Sequence, residues 1–159
     1  YCNNRKLLPG FNSLADVDEE LSKEWSVLNK GKPSEYLRIS SYVVLWTCPR
    51  CKGDYSYPIC NRKVGDNSCP YCNNKKVMPG LNSLAIQNKD LMAEWNYKNN
   101  YLIVNPDTIL PTYSENVWWT CKCGKNYKMS PKKRLYYQKR NMQSCPYCKG
   151  RRRKKYRNF

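Results

Sequence analysis

The chain has 159 residues, enough for one ordinary domain or for two to three very small ones. Twenty-nine Lys and Arg face twelve Asp and Glu, for a formal charge of +17, and ten cysteines accompany no histidine at all. A histidine-based metal nuclease and a Ser-His triad are thereby excluded, no apolar run approaches the ~20 residues that span a bilayer, and the charge points to a polyanionic partner, nucleic acid before an acidic membrane surface.

The opening phrase YCNNRKLLPGFNSLA returns as YCNNKKVMPGLNSLA at Tyr71–Ala85, with eleven of fifteen residues identical. Repetition of this kind indicates small units in series. The sequence divides into unit one at 1–72, unit two at 73–148 and a basic tail at 149–159, which lacks the PG-x-NSL phrase. The second copy of the phrase is preceded by Cys69-Pro70, whereas the first begins abruptly at Tyr1-Cys2. Residues 1–2 are therefore read as the remnant of an upstream unit; the alternative is a true terminus with a decayed repeat.

In chain order, each unit first carries a segment with Leu and Trp four apart: DEELSKEW at Asp18–Trp25 and NKDLMAEW at Asn88–Trp95. Asp18 and Asn88 are good N-caps, and Leu21 with Trp25, like Leu91 with Trp95, would share one face of a short helix. After a polar stretch come SYVVLWTC at Ser41–Cys48 and SENVWWTC at Ser114–Cys121, whose β-branched and aromatic residues predict strands. Tyr55 and Tyr127 open the return strands, so each unit has a hairpin with cysteines at its tip. A second helix follows. In unit two Ser130 caps it, Pro131 occupies the first turn, and it continues to Arg140; unit one has the shorter ICNRKVGDNS. Trp25, Trp46, Trp95 and Trp119 are assigned to the small cores, while Trp118, which replaces Leu45, is left open between core and ligand contact.

Unit one offers Cys48-x-x-Cys51, a gap of seventeen, then Cys69-x-x-Cys72; unit two offers Cys121-x-Cys123, a gap of twenty-one, then Cys145-x-x-Cys148. Two close pairs separated by about 15–20 residues have the spacing of a four-thiolate zinc site. The pattern occurs twice, which predicts two Zn²⁺ ions; disulfides and iron–sulfur clusters are the alternatives. A unit of about 60–70 residues buries little surface and is marginal by itself, and a structural zinc supplies roughly 10–16 kcal/mol of apparent free energy. Cys2 falls to the missing upstream unit, and Cys60 is read as a free thiol on the second helix.

The series NSLA, L-x-x-EW, W-x-C, C, CPYC resembles a tandem family of predicted zinc-ribbon, or treble-clef, repeats. The resemblance spans nearly the whole chain, anchored by Asn12-Ser13-Leu14, Glu24-Trp25 and Trp46 in unit one and by Asn82-Ser83-Leu84, Glu94-Trp95 and Trp118-Trp119 in unit two, with four cysteines in each. It implies a small zinc-stabilised α+β fold in which each unit has a short helix, a β-hairpin with a zinc knuckle and a second short helix. It also implies occurrence in bacterial and viral proteins, often beside nuclease-like domains. The family's Gly-His-x-Trp is replaced here by Gly124-Lys125-Asn126-Tyr127 and by Gly53-Asp54-Tyr55. The absent histidine costs nothing where four cysteines fill the site.

Charge separates the halves. Residues 1–72 hold ten basic and eight acidic side chains, and residues 73–159 hold nineteen and four. The expected nucleic-acid contacts are Lys132, Lys133, Arg134, Tyr137, Lys139 and Arg140 on the second helix of unit two, Arg151, Arg152, Arg153 and Lys154 in the tail, and Arg62 in unit one. Positions 133, 137 and 140 would share a face, setting Tyr137 beside the cations. The expected function is a nucleic-acid-binding zinc module, duplex DNA favoured over RNA, in a fragment of a larger protein with a nuclease elsewhere. The alternative is a zinc-stabilised scaffold for a protein partner. Pro106-Asp107 is not followed by Glu-x-Lys at a useful distance, so no enzyme activity is expected of the chain itself. Its expected location is intracellular, in the cytoplasm or nucleoid, or in a host nucleus for a viral protein.

Overall fold

The computed structural model describes residues 6–150. Cys2 and the tail cations Arg151, Arg152, Arg153 and Lys154 lie outside them. The chain divides into two compact units, Tyr1–Lys76 and Val77–Phe159. The division falls four residues past Cys72, because the N–H groups of Lys75 and Lys76 both donate to Pro70 O, at 2.8 and 3.0 Å, and keep this segment with unit one.

The repeated phrase is a turn, a latch and a cap. Gly10 (φ 77°) and Gly80 (φ 81°) take the left-handed conformation that closes each Pro-Gly turn. Asn12 Oδ1 accepts from Leu8 N at 2.7 Å, and Asn82 Oδ1 from Met78 N at 2.6 Å, latching the turn shut. Ser13 and Ser83 then cap one-turn helices, α1 (Leu14–Val17) in unit one and α3 (Leu84–Gln87) in unit two. Leu14 and Leu84 are fully buried, which anchors the phrase in each core.

The following helices are shorter than the leucine–tryptophan spacing predicts. α2 is Glu19–Ser22, capped by Asp18, and α4 is Lys89–Met92. Trp25 and Trp95 have already left the helix. Their backbones run beside the first strand of each hairpin, where Ser26 N donates to Leu45 O and Thr47 N to Glu24 O at 3.1 and 2.7 Å. The same bonds recur in unit two, Asn96 N to Trp118 O and Thr120 N to Glu94 O, at 3.2 and 2.7 Å. The sheet gain outweighs helix continuation because each tryptophan there meets the core tryptophan edge-on, Trp25 on Trp46 at 5.5 Å and Trp95 on Trp119 at 5.2 Å. Unit two adds α5 (Tyr97–Asn100).

The hairpins are β1 (Val43–Thr47) with β2 (Asp54–Pro58), and β3 (Val117–Thr120) with β4 (Asn126–Met129), both antiparallel. Alternation buries Val44 and Trp46, and Val117 and Trp119, against the helices. Trp118 therefore faces outward, half-buried. After β4, Ser130 caps α6 (Pro131–Lys139). Unit one has only a three-residue 3₁₀ turn, Ile59–Asn61: Pro58 replaces the capping serine, and Arg62 is already extended. The gap between cysteine pairs is four residues longer in unit two, about one helical turn. Cys60 thus lies on this 3₁₀ turn, exposed and free.

Candidate metal centres and the charged face of unit two

Each hairpin turn presents the first cysteine pair. In unit one, Lys52 N donates to Cys48 O at 2.9 Å and Cys48 N to Gly53 O at 3.0 Å, with Lys52 at φ 60°. In unit two, Gly124 N donates to Cys121 O at 2.8 Å and Cys121 N to Lys125 O at 3.0 Å, with Gly124 at φ 76°. In both units the residue after the second cysteine takes the left-handed position, Lys52 in one and Gly124 in the other, so the turn keeps its closure although the Cys121-x-Cys123 spacer is one residue shorter. The second pairs lie on the CPYC turns, where Asn73 N reaches Cys69 O at 3.3 Å and Lys149 N reaches Cys145 O at 3.1 Å. Buried tyrosines fix the approach: Tyr55 OH pairs with Ser68 Oγ at 2.7 Å, and Tyr127 OH with Ser144 Oγ at 2.9 Å, one residue before Cys69 and Cys145.

The eight expected ligand sulfurs form two groups of four, each within 4.8 Å. Cys48–Cys72 and Cys51–Cys69 stand 3.6 and 3.7 Å apart, and Cys121–Cys148 and Cys123–Cys145 stand 3.7 and 3.9 Å apart. Four sulfurs at 2.3 Å from a tetrahedral zinc have edges of about 3.8 Å. The groups fit one zinc ion each, leave no room for a multi-iron cluster, and contain no disulfide, since every described cysteine is a free thiol.

Electrostatics favour a cation in the same places. Burial pushes the Cys48 thiol up, but the N–H groups of Cys51 and Arg50 outweigh it and bring it to about 7. Cys72 is pushed up to about 12 by burial and by the sulfurs of Cys51 and Cys48. In unit two the Lys125 N–H leads in lowering Cys123 to about 7, and the sulfurs of Cys123 and Cys121 lead in raising Cys148 to about 12. In each group one thiol is thus lowered while another is raised, by burial and by the sulfurs around it in unit one and chiefly by those sulfurs in unit two. A divalent cation removes that conflict and releases the remaining protons. The exposure differs: Cys48 and Cys69 are buried in unit one, whereas Cys145 is the one buried ligand in unit two and Cys123 and Cys148 are exposed.

Two expected nucleic-acid contacts are corrected. Arg62 is 2 % exposed and Arg134 is 8 % exposed. Arg62 pairs with Glu24 and, at 2.8 Å, with Asp66; Arg134 pairs with Glu94 at 2.7 Å. Neither guanidinium is turned to solvent, because each serves as the buried counter-charge of the Glu-Trp segment. Lys132, Lys133, Lys139 and Arg140 are exposed as expected. The aromatic pairing differs from the expected face. Arg140 ends the helix as its C-cap and stacks on Tyr136 at 4.0 Å, while Tyr137, half-buried, is covered by Lys149 at 4.0 Å.

Sequence reasoning missed two pins. Asn29 Oδ1 accepts from Leu45 N and its Nδ2 donates to Leu45 O, at 2.9 and 2.8 Å. Asn100 does the same for Trp118 N and O, at 2.8 and 2.9 Å. Each amide imitates a neighbouring strand. The signal was an asparagine four residues after Trp25 and five after Trp95.

With this geometry in hand, comparison with protein families returns a match to the model described as "Probable Treble clef zinc finger domain", over residues 21–75 and again over 91–151. Comparison with curated proteins returned no match.

Proposed function

The chain belongs to this treble-clef zinc-finger family, and from that premise we propose that it is a nucleic-acid-binding module in which unit two makes the contact and zinc holds the frame. The observation that carries the reading is the charge asymmetry, nineteen basic against four acidic side chains over 73–159. No acidic residue occurs between 116 and 150, a stretch with nine lysines and arginines. Two four-thiolate zinc sites carry −2 each and leave the whole at about +13.

Helix α6 adds a second support. Its first turn holds Lys132 and Lys133 and no acidic residue. Cations there oppose the helix dipole, and a phosphate bound beside them relieves the conflict. Duplex DNA is the phosphate-dense ligand that suits such a face, and contact with backbone rather than bases follows from the lysine-rich composition. In this reading any catalysis belongs to a nuclease domain of a larger protein, and the module works inside the cell. Among the described residues no helix is long and apolar enough to cross a membrane.

A protein scaffold remains the second reading, favoured by the exposed apolar run Tyr101, Leu102 and Ile103 at 85 %, 92 % and 52 %. Titration of a labelled duplex at several salt concentrations decides between them. About six phosphate contacts give a log–log slope near −5; salt-independent affinity would remove the electrostatic reading in favour of the scaffold.

A further inference from the structure

The outward face of the second hairpin differs in kind from that of the first. Trp118 and Lys128 are directly paired across β3 and β4, so both side chains stand on the face away from the core. The Lys128 ammonium lies over the indole, 4.8 Å from its centroid. Asn126, two residues before Lys128, shares that face, accepting from Thr120 Oγ1 at 3.1 Å. These residues line a groove of about 200 Å³ together with Tyr127 and with Pro146 and Tyr147 of the CPYC turn. That volume lies below the 300–1,000 Å³ of sites for drug-sized ligands and suits one planar ring system. At the corresponding positions unit one has Leu45, Ser56 and Asp54, in place of Trp118, Lys128 and Asn126. It therefore has neither the aromatic plane nor the cation, and it carries a negative charge instead.

Resting on the nucleic-acid reading above, we propose that this groove stacks a single unpaired nucleobase on Trp118, so that unit two makes with a single-stranded stretch a contact that a fully paired duplex cannot offer, in addition to its phosphate contacts. Aromatic side chains bind bases through the π-face that every base presents, and only an unstacked base exposes it. The backbone that carries the indole is held in place, since Asn100 bonds both the N–H and the carbonyl of Trp118. An exposed cation–π contact is weak enough for a base to displace, and the freed Lys128 ammonium then lies beside the phosphate that accompanies the base. The surroundings suit a polyanion: Lys122, Lys125 and Lys128 are all exposed around the hairpin turn, within the stretch that holds no acidic residue.

The test uses the full zinc-loaded chain, a labelled dT₁₂ strand and a labelled 20-base-pair duplex, titrated at matched salt. Trp118→Leu installs the residue that unit one already carries at this place, so the hairpin should still form, which zinc content will verify. The variant should bind dT₁₂ about five- to hundredfold more weakly, change duplex affinity by less than about twofold, and keep the salt slope on both. Trp118→Phe, which retains a ring, should recover most of the loss. Quenching of tryptophan fluorescence by dT₁₂ should disappear in Trp118→Leu. Equal weakening on both ligands, or no weakening on dT₁₂, overturns the proposal and leaves the electrostatic reading standing. Absence of binding to either ligand by the unaltered chain at low salt overturns both.

Discussion

Arg134 Nη2 donates to Glu94 Oε2 at 2.7 Å, across forty residues of sequence, and Arg62 makes the same bond to Glu24 in unit one. The pair ties the segment that edges β3 to the helix that follows β4. It is also incompletely satisfied, because Arg62 Nε and Arg134 Nε are buried without a partner among the described residues. Breaking a buried pair from one side leaves an uncompensated charge, whereas removing both partners is far milder. Glu94→Gln should therefore destabilise unit two by about 2–4 kcal/mol in chemical unfolding, while Glu94→Leu combined with Arg134→Leu should cost less than either single change. A double variant as unstable as the sum of its parts would show that the two groups do not act as a pair.

Metal removal should proceed in order. Each unit depends on its zinc for stability, so elemental analysis should return two zinc ions per chain and excess chelator should unfold both units. Cys123 and Cys148 are exposed, whereas unit one buries Cys48 and Cys69. Unit two should lose its zinc first, with biphasic release detected by a metal indicator and the fast phase assigned by Cys123→Ser. A single phase, or a fast phase that survives that substitution, would contradict the order.

Asp66 is a feature of unit one with a defined pH signature. Burial pushes its carboxyl up, but the Ser68 side chain and the N–H groups of Lys63 and Ser68, together with Arg62, bring it down to about 2. A carboxylate whose folded pKa is depressed contributes stability above its unfolded value of about 3.9, and loses that contribution as pH falls from about 4 to about 2. Asp66→Asn should thus destabilise unit one by on the order of 1–2 kcal/mol. The gap from the unaltered chain should stay constant between pH 7 and pH 5, with zinc content checked at each pH because thiolate ligation is itself proton-sensitive. A gap that narrows steadily across that window would place the carboxylate's titration elsewhere.

The lysines that open α6 should show opposite effects on stability and binding. Lys132 and Lys133 oppose the helix dipole, so Lys132→Glu with Lys133→Glu should raise thermal stability, by about 0.3–1 kcal/mol per site. The same variant should weaken duplex binding and reduce the salt slope by about 2, one contact per lysine. Arg134→Gln should do the reverse, lowering stability while leaving the slope unchanged, because Arg134 is buried against Glu94. Loss of slope in Arg134→Gln would return that guanidinium to the interface.

The metal sites and hairpins were legible in the sequence because ligation and alternation are local rules. Cys-x-x-Cys spacing states which sulfurs can meet, and VVLWT or VWWT states which side chains face inward. The roles of Arg62 and Arg134 were not legible. An arginine among lysines reads as one more surface cation, and its burial is decided by a glutamate 38 or 40 positions away. The end of α2 was not legible for the same reason. Helical spacing put Trp25 on a helix, but its packing on Trp46 and the bonds of its neighbours to β1 draw the backbone out of that helix. The repeated NSLA phrase was visible as a word, and its meaning as latch, cap and anchor needed the hydrogen bonds of Asn12 and Ser13.

Each unit closes a core and assembles a metal site from its own residues. A gene that carries such a frame twice can let the copies diverge wherever the frame is not involved. The copies agree where a change would collapse them: Trp46 and Trp119, Tyr55 and Tyr127, Arg62 and Arg134, and the ligand cysteines. They differ at Leu45 and Trp118, Asp54 and Asn126, Ser56 and Lys128. Alternation along a strand thus sorts differences by consequence, the frame on one side and the surface on the other, so that the outward face of either hairpin can change without loosening the core or the metal site behind it.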